Sequence, residues 1–209
     1  MDFFNITTIA FEFLGYHLSY VELIATITGI FSIYFASRSN ILTWGTGIIN
    51  AIFLFILFFQ IQLYVEMFLQ IYFIIICIYG WHYWSKKTDD HKISICKTKT
   101  LGIYVLILLF GTFISGYLVT NIHLYFPEIF KVKASFPYTD SFIMIGSIIA
   151  SFLLAKKKME SWIMWLFVDI VCFLLFIRKG VLFLSFEYAV FTGLVVYGFF
   201  KWNKDLEHE

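Results

Sequence analysis

The sequence is short of charge, and that shortage already excludes most soluble folds. Charged residues fill 14% of its 209 positions, where a soluble domain carries about 25%. Hydrophobic residues make up 61% and mean hydropathy is +0.85, too apolar a chain for a water-soluble globule to cover. A net charge of +1 gives no concentrated basic face for nucleic acid. Cysteine is scarce too. Cys77, Cys96 and Cys172 are an odd set without C-x-x-C spacing, which argues against a disulfide framework or a zinc site. Cys77 and Cys172 lie inside apolar runs and read as small apolar side chains. Walker A, H-E-x-x-H and G-x-S-x-G segments are missing, and so is any pair of histidines at metal-ligand spacing. No cofactor, metal or enzymatic chemistry is therefore expected. The first thirteen residues hold no Lys or Arg, so the basic start of a cleaved signal peptide is missing. What the chain has in plenty is aromatic residues, with 27 Phe and 13 Tyr, the opposite of a disordered composition.

The apolar residues fall into seven runs long enough to span a bilayer as helices: 19–36, 42–59, 62–84, 101–120, 139–155, 160–178 and 181–201. An outer-membrane barrel would show alternating segments of about ten residues instead. Residues 3–15 are apolar but short, suited to an interfacial helix or to a cover over the bundle. Eleven of the fifteen Lys and Arg fall in the connections on one side, and Lys131, Lys133, Arg178 and Lys179 on the other. The positive-inside rule then puts the N-terminus outside and the C-terminus in the cytoplasm.

Sliding the chain along itself by 118 residues lays Trp44 on Trp162, Phe55 on Phe173, Tyr79-Gly80 on Tyr197-Gly198 and Trp84 on Trp202. The basic connectors at 37–40 and 155–158 coincide as well. The expected fold is all-α and membrane-integral, with two parallel three-helix repeats joined by a connector helix. Its parts are an N-terminal interfacial segment at 1–18, a first repeat at 19–84, a loop, connector helix and outer loop at 85–138, a second repeat at 139–203, and a tail at 204–209. Parallel repeats about an axis along the membrane normal are a recurrent transporter plan, with substrate near the midplane between them.

Polar groups in hydrocarbon need a reason. Trp162, Trp165 and Asp169 stand at i, i+3 and i+7 on the sixth run, sharing one helix face. Two indoles beside a carboxylate suit a flat organic cation, through stacking, cation–π attraction and charge. The structural alternative is a carboxyl hydrogen-bonded between helices, with tryptophans as packing. The second run offers Trp44, Gly45, Gly47 and Asn50, the third Glu66 and Gln70, and the seventh Glu187 and Tyr188. Asp140 reads as an acid favoured by its helix dipole. A retinal protein would need a mid-membrane lysine in the last run, and 181–200 contains none. An intramembrane enzyme would need a nucleophile–base pair or metal ligands, and none appears at usable spacing.

Several of these stretches resemble a known family. Gly47-Ile48-Ile49-Asn50, Phe59-Gln60-Ile61-Gln62-Leu63-Tyr64, Gln70 and Tyr79-Gly80-Trp81 look like the first repeat of the PnuC nicotinamide riboside transporters. Glu160-Ser161-Trp162-Ile163-Met164-Trp165, Asp169, Lys179-Gly180 and Glu187-Tyr188 look like its second. The resemblance covers roughly residues 18–203. It implies a three-plus-one-plus-three, SWEET-related fold in a bacterial inner membrane, assembled as a homotrimer. It further implies facilitated uptake of nicotinamide riboside, trapped by a separate cytoplasmic kinase. Trp162, Trp165 and Asp169 would then be substrate-site residues, joined by Asn50, Gln70, Trp44, Glu187 and Tyr188. Thiamine carriers share this scaffold, and Phe136-Pro137-Tyr138 with Asp169 resembles them, so thiamine is the alternative substrate.

Overall fold

The computed structural model describes residues 3–13, 15–61, 64–86, 92–126, 128 and 135–208. Gln62 and Leu63 of the first-repeat motif, and Lys87, His91, Lys131 and Lys133, lie outside them. Seven helices follow one short hairpin: β1 Ile9–Phe13, β2 Tyr16–Ser19, α1 Tyr20–Ser37, α2 Leu42–Gln60, α3 Tyr64–Ser85, α4 Thr98–Tyr125, α5 Pro137–Ala155, α6 Glu160–Lys179 and α7 Leu182–Glu207. All seven are long and apolar enough to cross a membrane. The sequence-based spans sit inside these helices apart from a residue or two at their ends. The expected tail at 204–209 is largely the last turn of α7, where Lys201 pairs with Asp205 at i+4, 2.5 Å apart.

The N-terminal segment, expected as an interfacial helix or a cover over the bundle, holds a β-hairpin among its described residues. β1 and β2 pair antiparallel around Gly15, at φ +78°, a backbone state that glycine adopts without strain. The hairpin covers one end of the bundle. Leu18 is buried, and the Tyr16 ring stacks on Phe183 of α7 with centroids 5.1 Å apart. Residues further upstream hold the end of α2, where Gln60 accepts from the Ile6 N–H and donates to the Phe4 carbonyl. β2 leads directly into α1 through a capping box. The Ser19 side chain accepts from the Glu22 N–H, and the Glu22 carboxylate accepts from the Ser19 N–H.

Six helices close a ring. α1 packs on α2, α2 on α3, α3 on α5, α5 on α6, α6 on α7, and α7 returns to α1. α4 stays outside this ring against α5. Small residues allow its close approach, since a Cβ on Gly116 would lie 2.3 Å from the Tyr138 ring and one on Gly111 3.3 Å from Ile145. Much of the rest of α4, including Leu109, Phe110 and Ile114, is exposed, as a lipid-facing helix should be.

The turns that open α2 and α6 are alike in detail. Ser39 and Lys157 both take φ 50°, rare for a non-glycine residue. Asn40 N–H reaches the Phe35 carbonyl and Lys158 N–H the Leu153 carbonyl, each at 2.9 Å. Trp44 N–H bonds Ile41 and Trp162 N–H bonds Met159, each at 3.2 Å. Only the second turn carries a further strand of chain among the described residues. Ser94 donates its N–H to Lys157 and accepts from Met159, and Cys96 N–H donates to Glu160 at 2.7 Å.

Candidate functional site

α6 buries Asp169 near Tyr188 of α7, with 3% of its surface exposed. Its Oδ2 has no hydrogen-bond partner among the described residues. A buried carboxylate without a partner is costly, by several kcal/mol for the charged form, roughly. Cys172, one turn along the same face, meets the Tyr188 hydroxyl of α7, and Asp169 acts electrostatically on both. Tyr188 is held on two sides by rings. It stacks on Phe176 at 5.5 Å and 15°, and meets Phe191 edge-on at 5.7 Å and 78°.

Phe191 extends this strip to the other three-helix group. A Cβ placed on Gly29 of α1 would lie 3.1 Å from the Asn50 amide nitrogen and 3.5 Å from Phe191. The Asn50 amide donates to the Ala25 carbonyl of α1 at 2.7 Å, which fixes its orientation and leaves its oxygen side as an acceptor. Asp169, Tyr188, Phe191 and Asn50 thus form one polar–aromatic strip bridging α6, α7, α1 and α2. Phe176 and Phe191 escaped the sequence reading. Among 27 phenylalanines neither carries any local mark, and only the fold selects them.

The remaining sequence-predicted site residues stand apart. Gln70 is buried on α3, with its amide donating to the Glu66 carbonyl of its own helix. Glu187 faces Thr26 of α1, with Glu22 nearby. Glu22 in turn accepts a 2.6 Å bond from the Tyr16 hydroxyl, so this acidic pair lies under the hairpin. Burial and these carboxylates raise the Tyr16 hydroxyl above its ordinary pKa.

Trp44 and Trp162 lie at the opposite, basic end of the ring. Both are buried, and their faces are already occupied. The Trp44 indole lies against Gly80, where a Cβ would come within 2.4 Å, and the Trp162 indole against Gly198, where the figure is 2.5 Å. Trp44 meets Trp84 edge-on at 5.1 Å and 85°, and Trp162 meets Trp202 at 5.4 Å and 84°. Trp165 packs partly buried against the same cluster. Trp162 is two helical turns, about 10 Å along the axis, from Asp169. The same-face reading of Trp162, Trp165 and Asp169 therefore places them along one helix but not around one ligand-sized space in this conformation. Among the described residues no group of three His, Cys, Asp or Glu could hold a metal ion.

A family profile described as "Nicotinamide mononucleotide transporter" matches residues 19–204. The chain belongs to the PnuC transporter family. Its PnuC relative from Escherichia coli K12, named "Nicotinamide riboside transporter PnuC", is 30% identical over 97% of this chain and 94% of its own length. A second relative, "Riboflavin/roseoflavin transporter RibM" of Streptomyces davaonensis, is 26% identical over 92% of this chain and 89% of its own. The solved structure titled "Crystal structure of the Vitamin B3 transporter PnuC" superposes with a TM-score of 0.69. It is 20% identical, and the match covers 90% of this chain and 83% of that one. Family and helices together make this a multi-pass transporter of the bacterial inner membrane, and not an enzyme.

Proposed function

We propose that this PnuC-family chain carries nicotinamide riboside into the cell by facilitated diffusion, and that a separate cytoplasmic kinase traps it by phosphorylation. The observation that carries this reading is the buried Asp169, whose Oδ2 has no hydrogen-bond partner among the described residues, close to Tyr188, which in turn meets Phe191. A pyridinium ring supplies the cation that offsets the buried charge and the flat face that stacks on aromatic side chains. The ribose hydroxyls then fall to acceptors such as Asn50 and, across the ring, Gln70. Trp162, Trp165 and Trp44 act from the basic end, and Glu187 from the outer end.

The architecture supporting this is two parallel three-helix repeats, α1–α3 and α5–α7, with α4 as connector. The N-terminus lies outside and the basic end faces the cytoplasm, as the matched turns and the lysine-rich connections at 86–99 and 156–158 suggest. Alternating access would rock one group against the other along the α3–α5 and α7–α1 seams. A homotrimer is the assembly that the family resemblance implies.

The RibM relative gives one specific reason for a second reading, a flavin as cargo. Proteoliposome counterflow separates them. Labelled nicotinamide riboside should accumulate transiently against internal unlabelled nicotinamide riboside, and external riboflavin or thiamine should not compete. Competition by riboflavin alone would move the cargo to a flavin, and competition by thiamine alone would favour the sequence-level alternative.

A further inference from the structure

Two tryptophans that the substrate argument leaves unused join the two helix groups reciprocally. Trp84 closes α3, and its indole N–H donates to the Ala155 carbonyl at the end of α5, 3.0 Å away. Trp202, near the end of α7, donates to the Ala36 carbonyl at the end of α1, also at 3.0 Å. Each bond therefore runs from the third helix of one group to the first helix of the other. The acceptors are last-turn carbonyls; the Ala36 carbonyl also takes the Ser39 N–H at 2.9 Å. Both donors are buried.

The rings fill the space between these bonds. Trp84 and Trp202 lie 6.2 Å apart at 46°. Trp44 and Trp162 flank them edge-on, so four indoles form a row across the basic end of the ring. The Lys157 ammonium sits 4.9 Å from the centroid of the Trp84 ring. Deeper in the α3–α5 seam, one to two turns before Ala155 along α5, the Tyr72 hydroxyl donates to the Ile148 carbonyl at 2.9 Å and lies 3.2 Å from the Ser151 hydroxyl.

We propose that Trp84 and Trp202 are the gating residues of the basic end, a crossed clasp whose two bonds break together when the α3–α5 and α7–α1 seams part. The arrangement suits a gate rather than permanent packing. Once water enters, both indole N–H groups and both helix-end carbonyls find new partners, so the clasp holds the closed state without making it irreversible. The indole row supplies the seal, because nothing can pass a continuous line of packed rings until they separate. Trp44 and Trp162 have no hydrogen-bond partner for their indole nitrogens among the described residues, so they seal without clasping. This gate rests on the transport reading, but its test needs no substrate.

The test places a single reporter thiol in the seam. Ser151→Cys is introduced with Cys77→Ala, Cys96→Ser and Cys172→Ala, and labelled by a membrane-impermeant maleimide in inside-out and right-side-out vesicles. Trp84→Phe and Trp202→Phe keep an aromatic ring and delete the donor. Each should speed labelling in inside-out vesicles at least tenfold and leave right-side-out vesicles unchanged. Rates within twofold of the Trp84/Trp202 parent in both preparations overturn the clasp. Acceleration confined to right-side-out vesicles keeps the clasp and reverses the membrane orientation.

A second measurement uses the unsubstituted protein, so it stands even if the phenylalanine variants fail to fold. In protein carrying nitrogen-15 tryptophan, the Trp84 and Trp202 indole N–H groups should exchange with solvent at one common rate, far below that of the exposed Trp81. Independent rates for the two would contradict a single opening event. A failure of nicotinamide riboside transport leaves both results standing, and a failure of both leaves the transport reading intact.

Discussion

The α1–α3 and α5–α7 groups match at one end of the molecule and diverge at its middle. At the basic end, Trp44 against Gly80 and Trp84 has its counterpart in Trp162 against Gly198 and Trp202, with ring separations within a few tenths of an ångström. Mid-span the pairing ends. Shifted by 118, Asn50 falls on Val168, Ala51 on Asp169, and Gln70 on Tyr188. Both groups still bring their first and second helices together at a glycine: Gly29 meets Asn50 in one and Gly146 meets Val168 in the other. One contact carries an amide and the other a methyl. Shared geometry therefore marks packing, and the polar residues that break the match mark where a ligand without two-fold symmetry would be read.

The largest effect expected is on the shared end. Gly80→Val and Gly198→Val push a side chain into an indole ring, and each should destabilise the detergent-purified protein by about 3 kcal/mol or more. Equal losses in thermal unfolding would support the match, and a loss at only one of them would break it. Gly193, on the same helix as Gly198, has nothing within 4 Å of a built Cβ. Gly193→Ala should be tolerated, with a gain of up to about 1 kcal/mol from helix propensity.

Effects at the divergent middle should fall on affinity instead. Asp169→Ala is expected to weaken substrate binding by about 2 kcal/mol, roughly thirtyfold, with thermal stability held or raised. Phe191→Leu keeps apolar volume and loses the ring. It should weaken binding by about 1 kcal/mol, less than Asp169→Ala. If Phe191→Leu weakened binding more than Asp169→Ala, stacking rather than charge would dominate the strip.

The smallest effect sharpens an asymmetry at the basic end, the chain around Ser94 and Cys96. Burial first, then the Glu160 carboxylate, pushes the Cys96 thiol up to about 11. Its reactive thiolate is therefore scarce at neutral pH. Iodoacetamide alkylation at pH 8 should run far slower than for an ordinary thiol and climb about tenfold per pH unit until close to pH 11. Glu160→Gln should speed it, with no effect on transport.

Much of this was legible in the residues. Apolar run length predicted seven spans, because a bilayer sets the length of a helix that crosses it. The Trp–Gly–Trp order pointed to the residues that pack alike at the basic end, because a large ring and the glycine that admits it must keep their spacing. The hairpin was not legible, since residues 3–15 show only apolar content and the turn depends on one glycine at positive φ. Nor was the division of labour among the tryptophans. Helical spacing says that Trp162 and Asp169 share a face, but only the neighbouring α7 decides that Trp162 meets Gly198 while the Asp169 Oδ2 finds no hydrogen-bond partner among the described residues. Phe191 is marked by nothing except the two helices it reaches between.

The most direct test of the central claim is isothermal titration of nicotinamide riboside into the purified parent and into Asp169→Ala, with riboflavin and thiamine titrated alongside. The account predicts saturable binding of nicotinamide riboside by the parent and about thirtyfold weaker binding by the variant. Undiminished binding by Asp169→Ala, or binding of riboflavin or thiamine in its place, would contradict it.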